Sequence, residues 1–403
     1  MKHIYLINKN SPASKYGVGT YTNQMLKCLE GTGMLLTVIN LEGSEKTLSI
    51  SEKNGIRIIN IPVSHPSTQE KAQTRQQKYI SFLLTYYINS KEENIFHFNF
   101  TLYYPLAQML KKQYPNSQIL LTLHYQSWLI ELKGNLRALQ SILDKEKDAR
   151  TLIEKWIVRD YEQNIEFFHC VDKVICLAKY TQTLLREQLM ISSDKIEVIY
   201  NGLENNNSCH TDIEYHNLRN KYKISPSEKL ILFVGRVDKQ KGVEDLIDAF
   251  RITLESIPNA RLIIVGDGEY NLCLEKSINI WTKITFTGKI PKELVYQFYQ
   301  IADIGIIPSY CEQCSYTAIE MMMHGLPFIG TSSTGLEEML DDRPEDIIPL
   351  TMTGNEVLLP SDKLAQRLTE HLSQMKKIDK RMYHSRYSLE CMKSRIIQLY
   401  ANL

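Results

Sequence analysis

Two carboxylates bracket a short polar run in the second half of the chain. From Cys311 to Gly325 it reads Cys-Glu-Gln-Cys-Ser-Tyr-Thr-Ala-Ile-Glu-Met-Met-Met-His-Gly, with seven residues between Glu312 and Glu320. Glu312 follows an apolar, strand-like run from Ile304 to Pro308, whereas Glu320 stands where Ile319, Met322 and Met323 recur at helical spacing. A helix starting between them offers first-turn amides around Ser315, Tyr316 and Thr317 that have no intrahelical acceptor and point at whatever the loop binds. A ligand with hydroxyls at both ends and an anion between them fits this pattern. A nucleoside diphosphate sugar is such a molecule.

A second cluster, Gly235-Arg236-Val237-Asp238-Lys239-Gln240-Lys241-Gly242, follows the apolar run that ends at Phe233-Val234. Glycine lets the backbone turn, and Arg236 and Lys241 flank a loop that feeds a helix, so cations and amides converge where a diphosphate could lie. The alternative is a solvated basic turn. Gly17 and Gly19, between the first strand and a helix expected from Thr20, suit close approach by a ligand or an ordinary tight turn, and no third glycine completes a dinucleotide fingerprint. Gly266 and Gly268, after a strand ending at Val265, read as a turn lining a nucleotide pocket. His124 closes the run Ile119 to Leu123, either delivered into a cleft or structural; His97, between Phe96 and Phe98, reads as a strand residue. Asn201-Gly202 is a generic turn whose place between the two halves draws interest.

Cys311-x-x-Cys314 invites a redox or zinc reading, but no second cysteine pair or spaced histidine pair accompanies it. No carboxylate cluster resembles a divalent-metal cage, so neither a metal nor a cofactor is expected.

These residues need elements to hold them. Ile4–Ile7, Leu35–Ile39, Ile56–Ile61, Ile95–Phe98, Ile119–Leu123, Val174–Leu177 and Ile196–Ile199 read as strands separated by helical segments, the largest from about Arg137 to His169. Residues 203–228, with Asn205-Asn206-Asn207, are polar and read as a linker. The alternation resumes at Leu230–Val234, Leu262–Val265, Ile284–Phe286, Ile304–Ile307 and Phe328–Ile329, with Val243, Leu246, Ile247, Phe250 and Leu254 on one helical face. The expectation is an α/β protein of two Rossmann-like doubly wound parallel sheets. The first domain takes residues 1–202 plus a C-terminal helix of about 385–403, and the second takes 203–384. Ligands of such sheets sit beyond the carboxyl ends of the strands, in a cleft between the two.

A chain of 403 residues with 47 Lys plus Arg against 46 Asp plus Glu gives no reason to expect a nucleic acid partner. The apolar start, Ile4 to Ile7, is too short for a secretory leader, no run is long enough to span a membrane, and the eight cysteines lack scaffold spacing. A cytoplasmic location follows as the expectation. The slightly basic first half leaves room for peripheral contact with the inner face of a membrane.

Taken together, the motifs resemble those of the retaining GT4 glycosyltransferases, over nearly the whole chain and most strongly in its second half. Gly235-Arg236 with Lys241-Gly242 is similar to the family's diphosphate loop, Val265 to Gly268 to its second glycine turn, and Pro308-Ser309 through Glu320 to its Glu-x7-Glu motif. Tyr16 to Gly19 resembles the N-terminal glycine loop, His124 the cleft histidine, and Asn201-Gly202 the hinge. Tyr16, Cys314-Ser315 and Tyr125 depart from the family pattern. The resemblance implies a GT-B fold and metal-independent transfer of a sugar, with retention, from a nucleoside diphosphate sugar to a glycan, lipid-linked glycan, small molecule or peptide. Arg236 and Lys241 would then hold the phosphates and Glu320 the ribose, while Glu312 and the Ser315–Thr317 amides take the sugar and distal phosphate. His124 would touch the transferred sugar. A GT-B epimerase and a catalytically silent nucleotide-sugar-binding subunit are the alternatives.

Overall fold

The computed structural model describes residues 2–11, 16–43, 46–62, 70–206, 212–374 and 379–403. The chain forms two compact units. One comprises Met1–Trp128, Glu146–Gly202 and Met392–Leu403; the other comprises Leu129–Lys145 and Leu203–Cys391.

The first unit is built on β1 (Lys2–Lys9), α1 (Gly17–Leu29), β2 (Leu35–Gly43), β3 (Ser49–Lys53), β4 (Ile56–Pro62), α2 (Glu70–Leu84), β5 (Glu93–Phe98), α3 (Tyr104–Gln113) and β6 (Gln118–Leu123). After α4 (Ser127–Glu131) and α5 (Leu136–Leu143), it continues with α6 (Leu152–Cys170), β7 (Lys173–Cys176), α7 (Lys179–Thr183) and β8 (Ile196–Val198). The sheet order is β3-β4-β2-β1-β5-β6-β7-β8, parallel except where β3 runs against β4. Ile4, Tyr5, Leu6 and Ile7 of β1 are all fully buried, as a strand covered on both faces requires. The order reverses between β1 and β5, so the carboxyl ends of these two strands, at Asn8 and Asn99, flank the switch point.

The second unit contains α8 (Asp212–Lys221), β9 (Lys229–Val234), α9 (Val243–Ser256), β10 (Ala260–Val265), α10 (Asn271–Lys276), β11 (Ile284–Gly288), α11 (Lys292–Ile301), β12 (Ile304–Ile307), α12 (Tyr316–His324) and β13 (Phe328–Thr331). It ends with β14 (Ile347–Ile348), the ribbon β15 (Thr351–Thr353) and β16 (Glu356–Leu358), and α13 (Ser361–Gln374); α14 (Leu389–Ala401) passes from this unit into the first. The parallel sheet is ordered β11-β10-β9-β12-β13-β14, with its switch point between β9 and β12. The loops after these two strands carry Arg236 and Glu312.

Four expectations are corrected. The segment 137–169 is two helices, because Thr151 and Glu154 form a capping box that starts α6 afresh. The stretch Leu129–Lys145 belongs to the second unit, where the Lys133 ammonium sits 3.7 Å from the centre of the Tyr310 ring and donates to the Val357 carbonyl at 3.3 Å. The polar stretch 203–228 contains α8, fastened by buried Arg219, which donates to the carbonyls of Ile301, Ser225 and Glu228 at 3.2, 3.0 and 2.6 Å. Residues 207–211 of that stretch, including Cys209, lie outside the described residues, as do 375–378 before the C-terminal helix. The first unit takes back the chain from Met392 rather than from about 385, since Leu203 exchanges backbone hydrogen bonds with Tyr387 and Leu389 inside the second.

Candidate functional site

In the second unit the two switch-point loops are fastened to each other. The Tyr310 amide donates to the Gln240 carbonyl at 2.9 Å, and Lys241 forms an ion pair with Glu312. Ser309 Oγ donates to the same Glu312 carboxylate oxygen at 3.0 Å. The Glu312 backbone is fixed in turn: its amide donates to Thr334 Oγ1 at 3.0 Å, and its carbonyl accepts from the Thr334 hydroxyl and from the Gly335 amide at 2.7 Å. Asp238 caps the short turn 239–241 by accepting from the Lys241 amide at 3.0 Å, and it pairs with half-exposed Arg236 at 3.1 Å. Both expected phosphate-binding cations therefore have carboxylate partners here, one pair partly buried and the other nearer solvent.

Glycines make this packing feasible. Gly242 has φ 64°, and a Cβ on it would stand 2.1 Å from the Pro308 carbonyl oxygen. Gly266 and Gly268, at φ 143° and 148°, lie against the backbone of the cationic loop, where a Cβ would fall 1.7 Å from Gly235 O and 2.2 Å from Val237 O. The Val237 amide donates to Asp267 O at 2.9 Å and the Glu269 amide to Val237 O at 2.7 Å. This glycine turn is the platform on which Arg236 stands.

Helix α12 begins at Tyr316 with Ser315 as its cap, whose hydroxyl accepts from the Ala318 amide at 3.4 Å. Thr317 Oγ1 donates to the Val234 carbonyl at 3.3 Å, tying the helix start to the end of β9. One turn further on, buried Glu320 is held by Lys292 Nζ on one oxygen and the Tyr299 hydroxyl on the other, both at 2.8 Å. Burial works to lower the Lys292 pKa, but the Glu320 charge outweighs it and the pKa is raised. Burial pushes the Cys311 thiol up to about 11, so it is no thiolate at neutral pH.

Sequence reasoning missed Asp238, Ser309, Thr334, Lys292 and Tyr299. Asp238 had a local signal, an acidic cap three residues before Lys241; Lys292 and Tyr299 are too distant in sequence from Glu320 to have given one.

In the first unit, Gly17 and Gly19 lie in the first turn of α1 rather than in a loop before it, because the Thr20 amide already donates to Tyr16 O at 3.0 Å. His124, after β6, is bonded through Nε2 to Asn99 Oδ1 at 3.0 Å, and Asn99 Nδ2 donates to Asn8 Oδ1 at 2.6 Å. This chain of amides places an acceptor before Nε2, so Nε2 carries the hydrogen and Nδ1 is left as the acceptor. Burial, then the neighbouring His97, lower the His124 pKa to about 3, which keeps the ring neutral. The Tyr21 ring stands edge-on at 4.6 Å, and its hydroxyl meets Thr122 Oγ1 at 2.9 Å. His97 lies fully buried in β5 between Tyr400 and Thr122, at 2.5 and 2.6 Å. Asn201 and Gly202 close the first unit, with the Gly202 amide 3.2 Å from Met392 Sδ.

The sequence profile described as "Glycosyl transferases group 1" matches residues 214–382, which carry every site residue named in the second unit. This segment, and not the whole chain, is similar to the group 1 glycosyltransferases. An uncharacterized glycosyltransferase of Methanocaldococcus jannaschii is 37% identical over 155 residues, covering 36% of this chain and 39% of that protein. The chain thus spans about two fifths of the length of that relative. Across the whole chain the fold is GT-B. The sucrose-phosphate synthase from Thermosynechococcus elongatus superimposes with a TM-score of 0.74 at 18% identity, covering 100% of this chain and 99% of that one. The Anabaena HepE complex with UDP and glucose gives 0.67 at 15% identity, with both chains covered completely. Among the described residues, no helix is long and apolar enough to cross a membrane.

Proposed function

We propose that this protein transfers a glycosyl group, with retention of anomeric configuration, from a nucleoside diphosphate sugar to an acceptor hydroxyl on a glycan, lipid-linked glycan, small molecule or peptide. One observation carries the reading: at the β9/β12 switch point Arg236, Lys241, Glu312 and the N-terminus of α12 converge, one helical turn from a carboxylate that Lys292 and Tyr299 hold in place. Arg236, Lys241 and the amides at Ser315–Thr317 bind the diphosphate, and Glu320 accepts from the ribose hydroxyls. Gly266 and Gly268 line the nucleoside side. As the bond between the anomeric carbon and the distal phosphate breaks, its electron pair stays on the nucleoside diphosphate, and the fixed cations and helix terminus stabilise that charge. The acceptor oxygen bonds to the anomeric carbon on the face the phosphate leaves, and its proton passes to a phosphate oxygen. Glu312 steadies the sugar as positive charge grows on it. His124 serves transfer through the Nδ1 acceptor that Asn99 leaves available. Two protein cations neutralise the leaving group, so no metal or cofactor is required.

Nucleotide sugars screened for release of free nucleotide, with and without acceptors, test the reading. Acceptor-dependent release that survives a chelator and gives a product of the donor's anomeric configuration is expected. Interconversion of sugar nucleotides without transfer would replace this reading with the epimerase alternative, and binding without turnover would replace it with the silent subunit.

A further inference from the structure

Helix α4 ends in two successive left-handed residues, Lys133 at φ 49° and Gly134 at φ 78°. The Gly134 amide donates to Leu129 O and the Lys133 amide to Ile130 O, both at 2.9 Å, the double closure with which many helices end. In that closure the first left-handed position ordinarily falls to glycine, because a Cβ there crowds the backbone. Here a lysine takes it, although glycine follows directly. The unfavourable conformation persists because the side chain is engaged: its ammonium sits 3.7 Å from the centre of the Tyr310 ring and donates to the Val357 carbonyl at 3.3 Å. Beyond the turn, fully buried Asn135 accepts from the Ala138 amide at 3.1 Å and caps α5, so the turn is fixed at both ends.

Both residues against which this turn packs act on Glu312. Tyr310 stands two positions before it, with its amide bonded to Gln240 O at 2.9 Å and its hydroxyl donating to Asp245 at 3.0 Å. The Lys133 cation adds a restraint on the face of the same ring. On the other side a Cβ on Gly134 would stand 3.5 Å from Thr334 Cγ2, an ordinary packing distance, and Thr334 Oγ1 holds the Glu312 amide and carbonyl. The turn thus brackets the Glu312 backbone through two intermediaries. An apolar side chain would cover the Tyr310 ring as well, but a cation over the ring centre also resists its tilting, since the attraction is directed at the π face. We propose that Lys133 is a positioning residue for Glu312, fixing the loop that aims its carboxylate, a role that rests on the transfer reading in which Glu312 steadies the sugar.

Two measurements on the full chain test this. Hydrogen exchange reads the loop without reference to activity: K133M, which keeps a long side chain and loses the cation, should exchange the Tyr310 and Glu312 amides about tenfold faster with little change in thermal midpoint, and K133R should restore the protection. Turnover of a nucleotide sugar reads the consequence: K133M should lower kcat about tenfold and leave the donor KM and nucleoside diphosphate affinity within about twofold of wild type. In an E312Q background the same substitution should cost nothing further, because its effect passes through that carboxylate. Exchange that K133M leaves unchanged, or equal fold losses with and without E312Q, would overturn the proposal. So would a K133R variant that exchanges as fast as K133M. A wild-type protein that transfers no sugar would end the transfer reading instead, and exchange at Tyr310 and Glu312 would still decide whether Lys133 holds the loop.

Discussion

At the switch point of the second sheet the polar groups are charged and the glycines are indispensable to the backbone; at the switch point of the first the polar groups are neutral and Gly17 has room. Gly242, Gly266 and Gly268 each lie where a Cβ would strike a carbonyl oxygen, whereas a Cβ on Gly17 meets nothing within 4 Å. Lys241, Glu312, Arg236 and Asp238 pair as ions, while Asn8, Asn99 and His124 form an uncharged relay. The proposed transfer would use both: fixed charge for the charge that develops on a leaving group, and oriented amides and imidazole for a neutral sugar or acceptor hydroxyl. In the second unit the fold itself demands the glycines, whereas nothing packed around Gly17 does.

The sharpest way to break the contrast is G266A. If the second-unit turn is obligate, the variant loses on the order of 4 kcal/mol of stability in urea unfolding, because backbone must move away from the added methyl. A loss under about 1 kcal/mol would show that this turn is as tolerant as the first-unit one.

Acid probes the neutral half. His97 and His124 have pKa values lowered to about 3 by burial, whereas in the unfolded chain they titrate near the ordinary value of about 6.5. Between these values the unfolded state binds more protons, so stability is complete above about pH 6.5 and falls as the pH drops toward 3. The limiting slope is about 1.4 kcal/mol per pH unit for each histidine. Urea unfolding from pH 7 to pH 4.5 should trace this decline, with a shallower slope in H124Q. A flat profile would mean that the relay tolerates charge.

The two cations of the second unit should then prove unequal. If the proposed site is right, K241A removes a phosphate contact and leaves the partly buried Glu312 charge without its partner, so nucleoside diphosphate affinity should fall by about 3 kcal/mol in calorimetric titration. R236A, at a site near solvent, should lose about 1.5 kcal/mol. Equal losses would show that the Lys241–Glu312 pair has no influence on binding.

Asn99 tests the relay by itself. N99L removes the acceptor that fixes the His124 tautomer, and transfer should drop about tenfold with nucleoside diphosphate affinity unchanged, as a neutral hydrogen bond of about 1.4 kcal/mol would give. An equal fall in nucleoside diphosphate affinity would place Asn99 in the donor site instead.

The smallest effect carries the comparison furthest. G17A should leave stability unchanged or raise it by up to about 1 kcal/mol, since alanine suits a helix better than glycine, and should still reduce transfer. A destabilised G17A would mean that the first-unit glycine also answers to its own fold.

The parallel strands covered on both faces were legible, because they leave uninterrupted runs such as Ile4–Ile7 and Leu230–Val234; exposed β3, antiparallel to β4, and the short β14, β15 and β16 leave none. Glu312 and Glu320 were legible because loop and helix alternate within one short segment. The break before α6 could have been read from Thr151 and Glu154, a capping box spelled out in the sequence. Helix α8 could not, because its anchor is a buried arginine whose partners are carbonyls up to 82 residues away. The placement of Leu129–Lys145 rests on Lys133 meeting Tyr310 and Val357, contacts that no local pattern announces. For Glu320 the sequence offers the carboxylate alone; Lys292 and Tyr299, which orient it, come from the preceding helix by tertiary packing.

The return of the last dozen residues to the first unit sets an order of assembly during synthesis. Lys2 donates to the carbonyls of Tyr400 and Ala401 at 2.8 Å, and buried His97 takes its partner from the Tyr400 hydroxyl. The unit translated first thus lacks part of its own interior until the ribosome has delivered everything else. The second unit, complete at Cys391, has all its residues before the first does. A chain cut after Cys391 would keep every residue of the second unit and leave the buried histidine of the first without the Tyr400 hydroxyl.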